Sequence, residues 1–175
     1  HLITSVGGVA TTEGAAYRPV NLLMSGPVAG LIGGIWTGKS TGSPSVITLD
    51  VGGTSADIGV APGGQIRMKH LLDTKVAGYH AMIPMVEIDA IGAGGGSLAY
   101  IDAGGMFRVG PKSAGADPGP ACYGKGGMQP TATDALVVLG KLRPENVLGG
   151  QVRVQRRLAE EAVQRGLCQP LGVDL

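Results

Sequence analysis

The chain has 175 residues, and 32 Gly and 11 Pro make up about a quarter of it. Hydrophobic residues account for 43% and charged residues for only 15%. This composition excludes disorder, because a disordered chain combines high charge with low hydrophobicity. A net charge of +1 and 3% aromatic residues provide neither a phosphate-binding surface nor a base-stacking platform, so we expect no nucleic-acid partner.

Cysteine use and hydropathy indicate a cytoplasmic protein. Cys122 and Cys168 are isolated, a pattern that favours neither a disulfide scaffold nor a zinc ribbon. Residues 19–38 carry no charge, but an Asn, a Ser, a Pro and five glycines interrupt them, so we expect no membrane span. The chain starts at His1 rather than Met, and we interpret it as a piece of a longer protein.

The first predicted elements are a strand at residues 2–6, a short helix from Thr12 and a buried strand at 19–24. Ser25 is placed to cap a helix over residues 28–36. Glycines recur every four residues along this segment and share one helix face, which favours close packing against a sheet. They are Gly26, Gly30, Gly34 and Gly38.

Residues 33–40 match G-x-x-x-x-G-K-S, the sequence form of a P-loop. A P-loop follows a strand and opens a helix, whereas here an apolar helical run precedes the motif. We therefore interpret Gly38 and Lys39 as the end of a helix, with the lysine near the negative pole of the helix dipole.

The middle of the chain predicts sheet structure. Three successive antiparallel strands are expected at residues 45–49, 55–61 and 65–72, with a further strand at 82–88. A hairpin should pair residues 98–101 with 106–109.

Beyond the sheet region we expect two helices. Residues 112–129 are interpreted as an ordered surface excursion. Thr133 is predicted to cap a helix that ends at Leu142, with Asp134 in its first turn, and a final helix covers residues 154–165.

The strongest motif is D-V-G-G-T, in which Asp50 ends a predicted strand and Gly52, Gly53 and Thr54 follow. Two glycines let backbone N–H groups approach phosphate oxygens, and the threonine adds a hydroxyl. A carboxylate beside phosphates is tolerated where Mg²⁺ lies between them. The alternative is an ordinary turn with a capping aspartate, and Asp57 could likewise be a structural turn acid.

A second glycine loop occupies residues 92–97 and contains Gly92, Gly94, Gly95 and Gly96. So many glycines are costly in chain entropy, which indicates that something needs the backbone close by. Contact with a nucleotide or substrate and plain strand crossing are both open here.

The remaining reactive side chains give weaker signals. Cys122 would need a basic partner to act as a nucleophile, and a buried, inert thiol is the favoured interpretation. Asp117 could be presented by the same stiff loop. His70 and His80 lack metal-ligand spacing, so we treat both as structural or surface residues.

Five stretches in chain order resemble the hydantoinase A/5-oxoprolinase family, which includes N-methylhydantoinase subunits and the acetone carboxylase β subunit. These stretches are RPVNLLMSGPVAG at 18–30, ITLDVGGTSADIG at 47–59, IGAGGGSLA at 91–99, DAGGMFRVGPKSAGADPGPACYGKGG at 102–127 and PTATDALVVLGKL at 130–142.

The resemblance implies an α/β fold, part of an actin-like, ribonuclease H-like ATPase lobe with a mixed sheet, antiparallel hairpins and flanking helices. Residues 1–175 would form a single partial domain, the C-terminal ATPase-lobe piece of a longer subunit that lacks the first phosphate loop. The cofactors implied are ATP and Mg²⁺. Asp50 would hold the metal and serve catalysis, Gly52, Gly53 and Thr54 would grip phosphates, and the loop at 92–97 would lie near nucleotide or substrate.

The implied reaction is ATP-dependent opening of a cyclic amide or imide by phosphorylation of its oxygen, with a hydantoinase B-type partner subunit or domain. One alternative is an acetone carboxylase-type β subunit, and another is a non-catalytic actin-like module that uses nucleotide to switch shape. The isolated piece is expected to be inactive.

Overall fold

The computed structural model describes residues 1–76, 78–145 and 153–175. Within these residues the chain is mixed α/β, with short sheets and flanking helices. It divides into two compact units, which are described separately below. Unit 1 comprises residues 1–50 and 57–90, and unit 2 comprises 51–56 and 91–175. The single partial domain over 1–175 stays a prediction.

Unit 1 begins with a small hairpin and a capped helix. Strands β1 (Leu2–Ile3) and β2 (Val9–Ala10) pair antiparallel. Helix α1 (Thr12–Tyr17) follows, and the Thr11 hydroxyl caps it by accepting a hydrogen bond from the Gly14 amide at 3.2 Å. The predicted strand at 19–24 is wrong, because a proline opens a 3-10 turn at Pro19–Leu22 that the Leu23 amide closes on the Val20 carbonyl.

Helix α2 (Ser25–Ser40) is the longest element of unit 1. Its N-cap is Met24 in the left-handed region (φ 57°) with no side-chain cap, so the predicted Ser25 cap is wrong. The helix extends four residues beyond the predicted end and therefore contains the whole P-loop-like segment. Our interpretation that this segment is helical rather than a phosphate loop is confirmed. The buried residues recur at helical spacing and are Val28, Leu31, Ile35 and Gly38.

The predicted close-packing role of the α2 glycines is confirmed for the second half of the helix. A Cβ on Gly34 would lie 2.5 Å from Thr48 Cγ2, and a Cβ on Gly38 would lie 2.5 Å from the Ser43 carbonyl oxygen. Gly26 and Gly30 have nothing within 4 Å of the same position. Only the C-terminal half therefore needs glycine for close approach.

A three-stranded sheet packs against α2 in the order β3–β4–β7, formed by Val46–Val51, Ala56–Ala61 and Ile88–Ile91. The predicted pairing of the first two strands is confirmed. The predicted third strand at 65–72 is wrong, since in the described chain that segment forms only the isolated bridge between Met68 and Val86. The strand expected at 82–88 begins only at Ile88 and takes the third place in the sheet.

The rest of unit 1 consists of a segment with two short strands and of the hydrophobic core. The chain leaves β4 through a 3-10 turn at Pro62–Gly64 and makes the two-residue strands β5 (Lys75–Val76) and β6 (Tyr79–His80). One hydrophobic cluster joins α2 to the sheet, and its buried members are Val28, Leu31, Ile35, Ala61, Val86 and Ile88.

Unit 2 contains the predicted hairpin. Strands β8 (Ser97–Ile101) and β9 (Phe107–Ser113) pair antiparallel, with Tyr100 opposite Arg108. The segment after β9 is not wholly on the surface as expected, because its 3-10 turn (Ala121–Tyr123) buries Ala121 and Cys122.

Helices complete unit 2. Helix α3 (Ala132–Val138) is capped by Thr131, so the predicted Thr133 cap is wrong and the helix ends before Leu142. Helix α4 (Arg156–Val163) continues through a π-helical turn (Gln164–Cys168) into α5 (Gln169–Leu171). The core cluster comprises Cys122, Val137, Val154 and Ala159. Among the described residues, no helix is both long and apolar enough to cross a bilayer.

Candidate nucleotide site

Within unit 2, the loop at residues 52–54 lies against the second glycine loop. The Gly52 amide closes the turn by donating to the Ser55 carbonyl at 2.9 Å. The Gly95 amide donates to the Gly52 carbonyl at 2.9 Å, and the Gly96 amide donates to the Gly53 carbonyl at 2.6 Å. Two loops forty residues apart in sequence are thus joined by their backbones.

The glycines at 94 and 96 are needed for this contact. A Cβ on Gly94 would lie 2.8 Å from backbone atoms of Gly52, Gly53 and Thr54, and one on Gly96 would lie 2.8 Å from the Gly53 carbonyl oxygen. Backbone atoms cannot move aside as a flexible side chain can. Close approach of another backbone segment is therefore what these two positions require. Contact of this loop with a nucleotide or substrate stays a prediction.

A cavity of about 390 Å³ opens beside the joined loops, and we call it the glycine cavity. Among the described residues, no lysine, arginine or carboxylate lines it, so backbone groups and hydroxyls form its polar surface. The lining residues are Gly52, Gly53, Thr54, Gly95, Gly96, Gly115, Ala116, Pro120, Tyr123 and Thr133. Gly92 and Gly94 do not line it: Gly94 is buried, and a Cβ on Gly92 would lie 3.0 Å from Pro111 Cβ.

Most amides around the glycine cavity already donate within the protein. Those of Gly52, Gly95 and Gly96 do so as given above, and the Thr133 amide and hydroxyl both donate to the Gly95 carbonyl at 2.8 Å. Within the described residues, the amides of Gly53, Thr54 and Ala116 and the hydroxyl of Thr54 make no hydrogen bond. These groups can donate to an anionic ligand.

Asp50 lies in unit 1 and lines a different cavity of about 340 Å³, which we call the aspartate cavity. Asp50 is exposed, and Asp57 and Thr48 line the same cavity beside Pro27 and Gly30 of α2. No described residue forms an ion pair with either carboxylate. Two carboxylates and a hydroxyl offer oxygen ligands of the kind that Mg²⁺ prefers.

Asp57 lines the same cavity as Asp50, although the sequence left it open as a structural turn acid. Asp50 and Asp57 are equally far from the centre of the turn between β3 and β4, and the Thr48 hydroxyl contacts the Gly59 carbonyl at 3.4 Å across the same two strands. In a hairpin, equal spacing from the turn brings two residues to neighbouring positions. The equal spacing of Asp50 and Asp57 from the turn is the sequence feature that predicts their proximity.

The other candidate residues have structural surroundings. Cys122 is fully buried, and burial first, then the neighbouring Asp134, raises the pKa of its thiol. Asp117 is exposed, as are His70 and His80, whose rings interact with backbone groups of Leu72. No cluster of three metal-binding side chains occurs in the part of the chain that the structure describes.

The family model described as Hydantoinase/oxoprolinase matches residues 1–175. The chain belongs to the hydantoinase/oxoprolinase family. This confirms the resemblance carried by the five stretches in chain order.

Three relatives illustrate the family. The caprolactamase subunit alpha of Pseudomonas jessenii is 42% identical over 98% of this chain and 24% of its own length. The 5-oxoprolinase of Saccharomyces cerevisiae is 42% identical over 81% of this chain and 11% of its own length. The nucleotide-free structure of acetone carboxylase superposes with a TM-score of 0.80 at 31% identity, over 98% of this chain and 24% of that one. The chain thus spans about a quarter or less of the relatives it matches.

Proposed function

We propose that this chain is part of the ATP-binding subunit of an enzyme that opens a cyclic amide at the expense of ATP. Membership of the hydantoinase/oxoprolinase family over all 175 residues supports this assignment. The structure of the caprolactamase from Pseudomonas jessenii, 43% identical over 90% of this chain and 22% of that one, is described as ATP-dependent. An actin-like ATPase lobe and a cytoplasmic location remain part of the proposal.

The observation that carries the proposal is the set of free donors in the glycine cavity. Phosphate oxygens accept hydrogen bonds from backbone N–H groups that converge without intervening side chains. The residues Gly53 and Thr54 line this cavity, and their amides and the Thr54 hydroxyl have no partner among the described residues, whereas the amides of Gly52, Gly95 and Gly96 already donate to backbone carbonyls. We therefore assign direct phosphate contact to Gly53 and Thr54, and to Gly52, Gly94, Gly95 and Gly96 the support of this wall. Gly92 packs against Pro111 and takes no part in it.

For the metal, we assign Asp50 as the principal ligand and Asp57 as its companion in the aspartate cavity. Mg²⁺ usually takes one or two carboxylates and fills its other positions with further oxygen ligands such as water. The two carboxylates present there suit that chemistry. Bound MgATP would supply a phosphoryl group that makes the amide oxygen a better leaving group.

A partner subunit or domain of hydantoinase B type belongs to the proposal, because the similar caprolactamase chain is named as a subunit. Acetone carboxylase-type chemistry is the second candidate, and the TM-score of 0.80 with acetone carboxylase supports it. In that case the same ATP chemistry would activate a ketone or bicarbonate.

The test measures ATP hydrolysis by the complete protein with its partner, with and without cyclic amides of different ring size. We expect ADP release that depends on, and is stoichiometric with, ring opening. Turnover that requires bicarbonate and a ketone would favour the carboxylase instead. A rate of ATP hydrolysis that does not depend on cyclic amides, bicarbonate or ketones would support a nucleotide-switch module and refute the hydrolase.

The site assignment has its own test. Thr54→Val keeps the side-chain shape but removes the hydroxyl, and a hydrogen bond to a charged group is worth about 1.5–3 kcal/mol. We expect the affinity for MgATP to fall by roughly tenfold or more. Thr12→Val, at an exposed threonine of α1, is the matched control and should leave affinity unchanged. Equal affinities for both variants would refute the assignment.

A further inference from the structure

Asp134 is a fully buried carboxylate that the proposed chemistry does not use. It lies in the first turn of α3, and no described lysine, arginine or histidine pairs with it. A buried charge without a counter-ion is costly unless hydrogen bonds satisfy it, and a neutral residue often serves stability equally well. The presence of a carboxylate at this position therefore calls for a reason beyond packing.

Four donors converge on the Asp134 carboxylate. The Cys122 amide donates to Oδ1 at 2.8 Å, and the Ala121 amide donates to Oδ2 at 3.2 Å. Oδ2 also accepts from the Thr131 amide at 2.9 Å and from the Thr131 hydroxyl at 2.7 Å. Hydrogen bonds to a charged acceptor are about twice as strong as neutral ones, so this carboxylate holds both segments firmly.

Both segments held by Asp134 directly adjoin residues that line the glycine cavity. Ala121 and Cys122 lie between Pro120 and Tyr123, which line the cavity. Thr131 is two residues before Thr133, which lines it as well and bonds the Gly95 carbonyl. One buried side chain thus sets the positions of two stretches of the wall without touching the cavity itself.

From this geometry we infer that Asp134 is a positioning residue for ligand binding in the glycine cavity, acting through the Pro120–Tyr123 turn and the start of α3. This role rests on the proposed function, since the ligand is taken to be ATP. It goes beyond the helix cap that Asp134 also makes with Thr131, because a cap needs no bonds to the distant amides at 121 and 122.

Asp134→Asn tests the role in the complete protein. The amide nitrogen of Asn donates rather than accepts, so at least one of the four donors loses its partner. We expect the KM for ATP to rise about tenfold while kcat changes less than about twofold, because the proposed metal ligands lie elsewhere. Without nucleotide, hydrogen exchange at the amides of residues 121 and 122 should accelerate.

Two further variants keep the test decisive. Asp117→Asn, at an exposed aspartate of the same loop, is the matched control and should leave KM and exchange unchanged. Thr131→Val removes the hydroxyl and with it two bonds, the one it donates to Oδ2 and the cap bond it accepts from the Asp134 amide. It should raise KM by about two- to fivefold, and it decides the case if Asp134→Asn does not fold.

The outcomes separate this inference from the proposed function. If the unmodified protein uses ATP and the variants lower kcat only in proportion to lost folded protein, with KM unchanged, Asp134 is merely structural. If the unmodified protein neither binds nor hydrolyses ATP, the proposed function is overturned, and this role of Asp134 with it.

Discussion

Helix α2 allows the same substitution to be made twice with opposite expected effects. Gly33 and Gly38 lie five residues apart in one helix, and both have ordinary helical backbone. A Cβ on Gly33 would meet nothing within 4 Å, whereas one on Gly38 would lie 2.5 Å from both the Ser43 carbonyl oxygen and Val46 Cγ1. Gly33→Ala should therefore stabilise unit 1, and Gly38→Ala should destabilise it.

The magnitudes follow from two opposing effects. Replacing Gly by Ala in a helix interior gains about 1 kcal/mol, so Gly33→Ala should gain close to that amount. Gly38→Ala gains no more than this and adds an overpacking cost of about 1–3 kcal/mol, because one of its two close contacts is backbone. We expect a net loss of up to about 2 kcal/mol at Gly38.

Native-state hydrogen exchange of peptides from residues 25–40 in the complete protein measures this local stability. About 1 kcal/mol corresponds to roughly a fivefold change in exchange, slower for Gly33→Ala and faster for Gly38→Ala. Changes of the same sign in both variants would refute the packing argument. Equal acceleration in both would mean that α2 does not hold its glycines as described.

Two further predictions concern titratable groups of unit 2. Asp102 accepts hydrogen bonds from Arg108 Nε at 2.8 Å and from the Met106 and Gly104 amides at 2.9 Å, and these lower its pKa, with Arg108 contributing most. The stabilisation of the β8–β9 turn should be present at neutral pH and lost as the pH falls through this lowered pKa; an NMR titration with an ordinary aspartate midpoint would contradict it. The Cys122 thiol is buried and its pKa is raised, so it should react with iodoacetamide far more slowly in the native than in the denatured protein. Peptide mass spectrometry can measure both rates, and equal rates would refute the burial of this thiol.

Local sequence signals predicted the local elements. The β8–β9 hairpin and α2 depend on turns and helical periodicity within one segment, so both were found. The sequence predicts the third strand of the first sheet at residues 65–72, but this strand is β7, because the choice of pairing partner depends on tertiary packing. Ser25 and Thr133 were chosen as caps by residue type, while the helices begin one residue after Met24 and Thr131.

The site was predictable as a motif but not as a set of donors. The D-V-G-G-T pattern identified the residues, yet it could not show that Asp50 and Gly53 line cavities in different units. The motif also does not distinguish Gly52 from Gly53, although the Gly52 amide donates to the Ser55 carbonyl and the Gly53 amide has no partner among the described residues. From the sequence, Asp134 cannot be distinguished from an ordinary acidic residue in the first turn of a helix, because the amides of residues 121 and 122 that bond it belong to a separate segment.

The two glycine loops differ in the reason for their glycines. Gly94 and Gly96 leave no room for a Cβ, so packing within the protein accounts for them. Gly53 has nothing within 4 Å of a Cβ position, does not adopt a left-handed backbone and keeps an amide that no described residue binds. Packing gives no reason for glycine there, whereas close approach of an external anion to a bare N–H group does. Glycine content alone does not separate the two cases; the hydrogen-bond partner of each amide does.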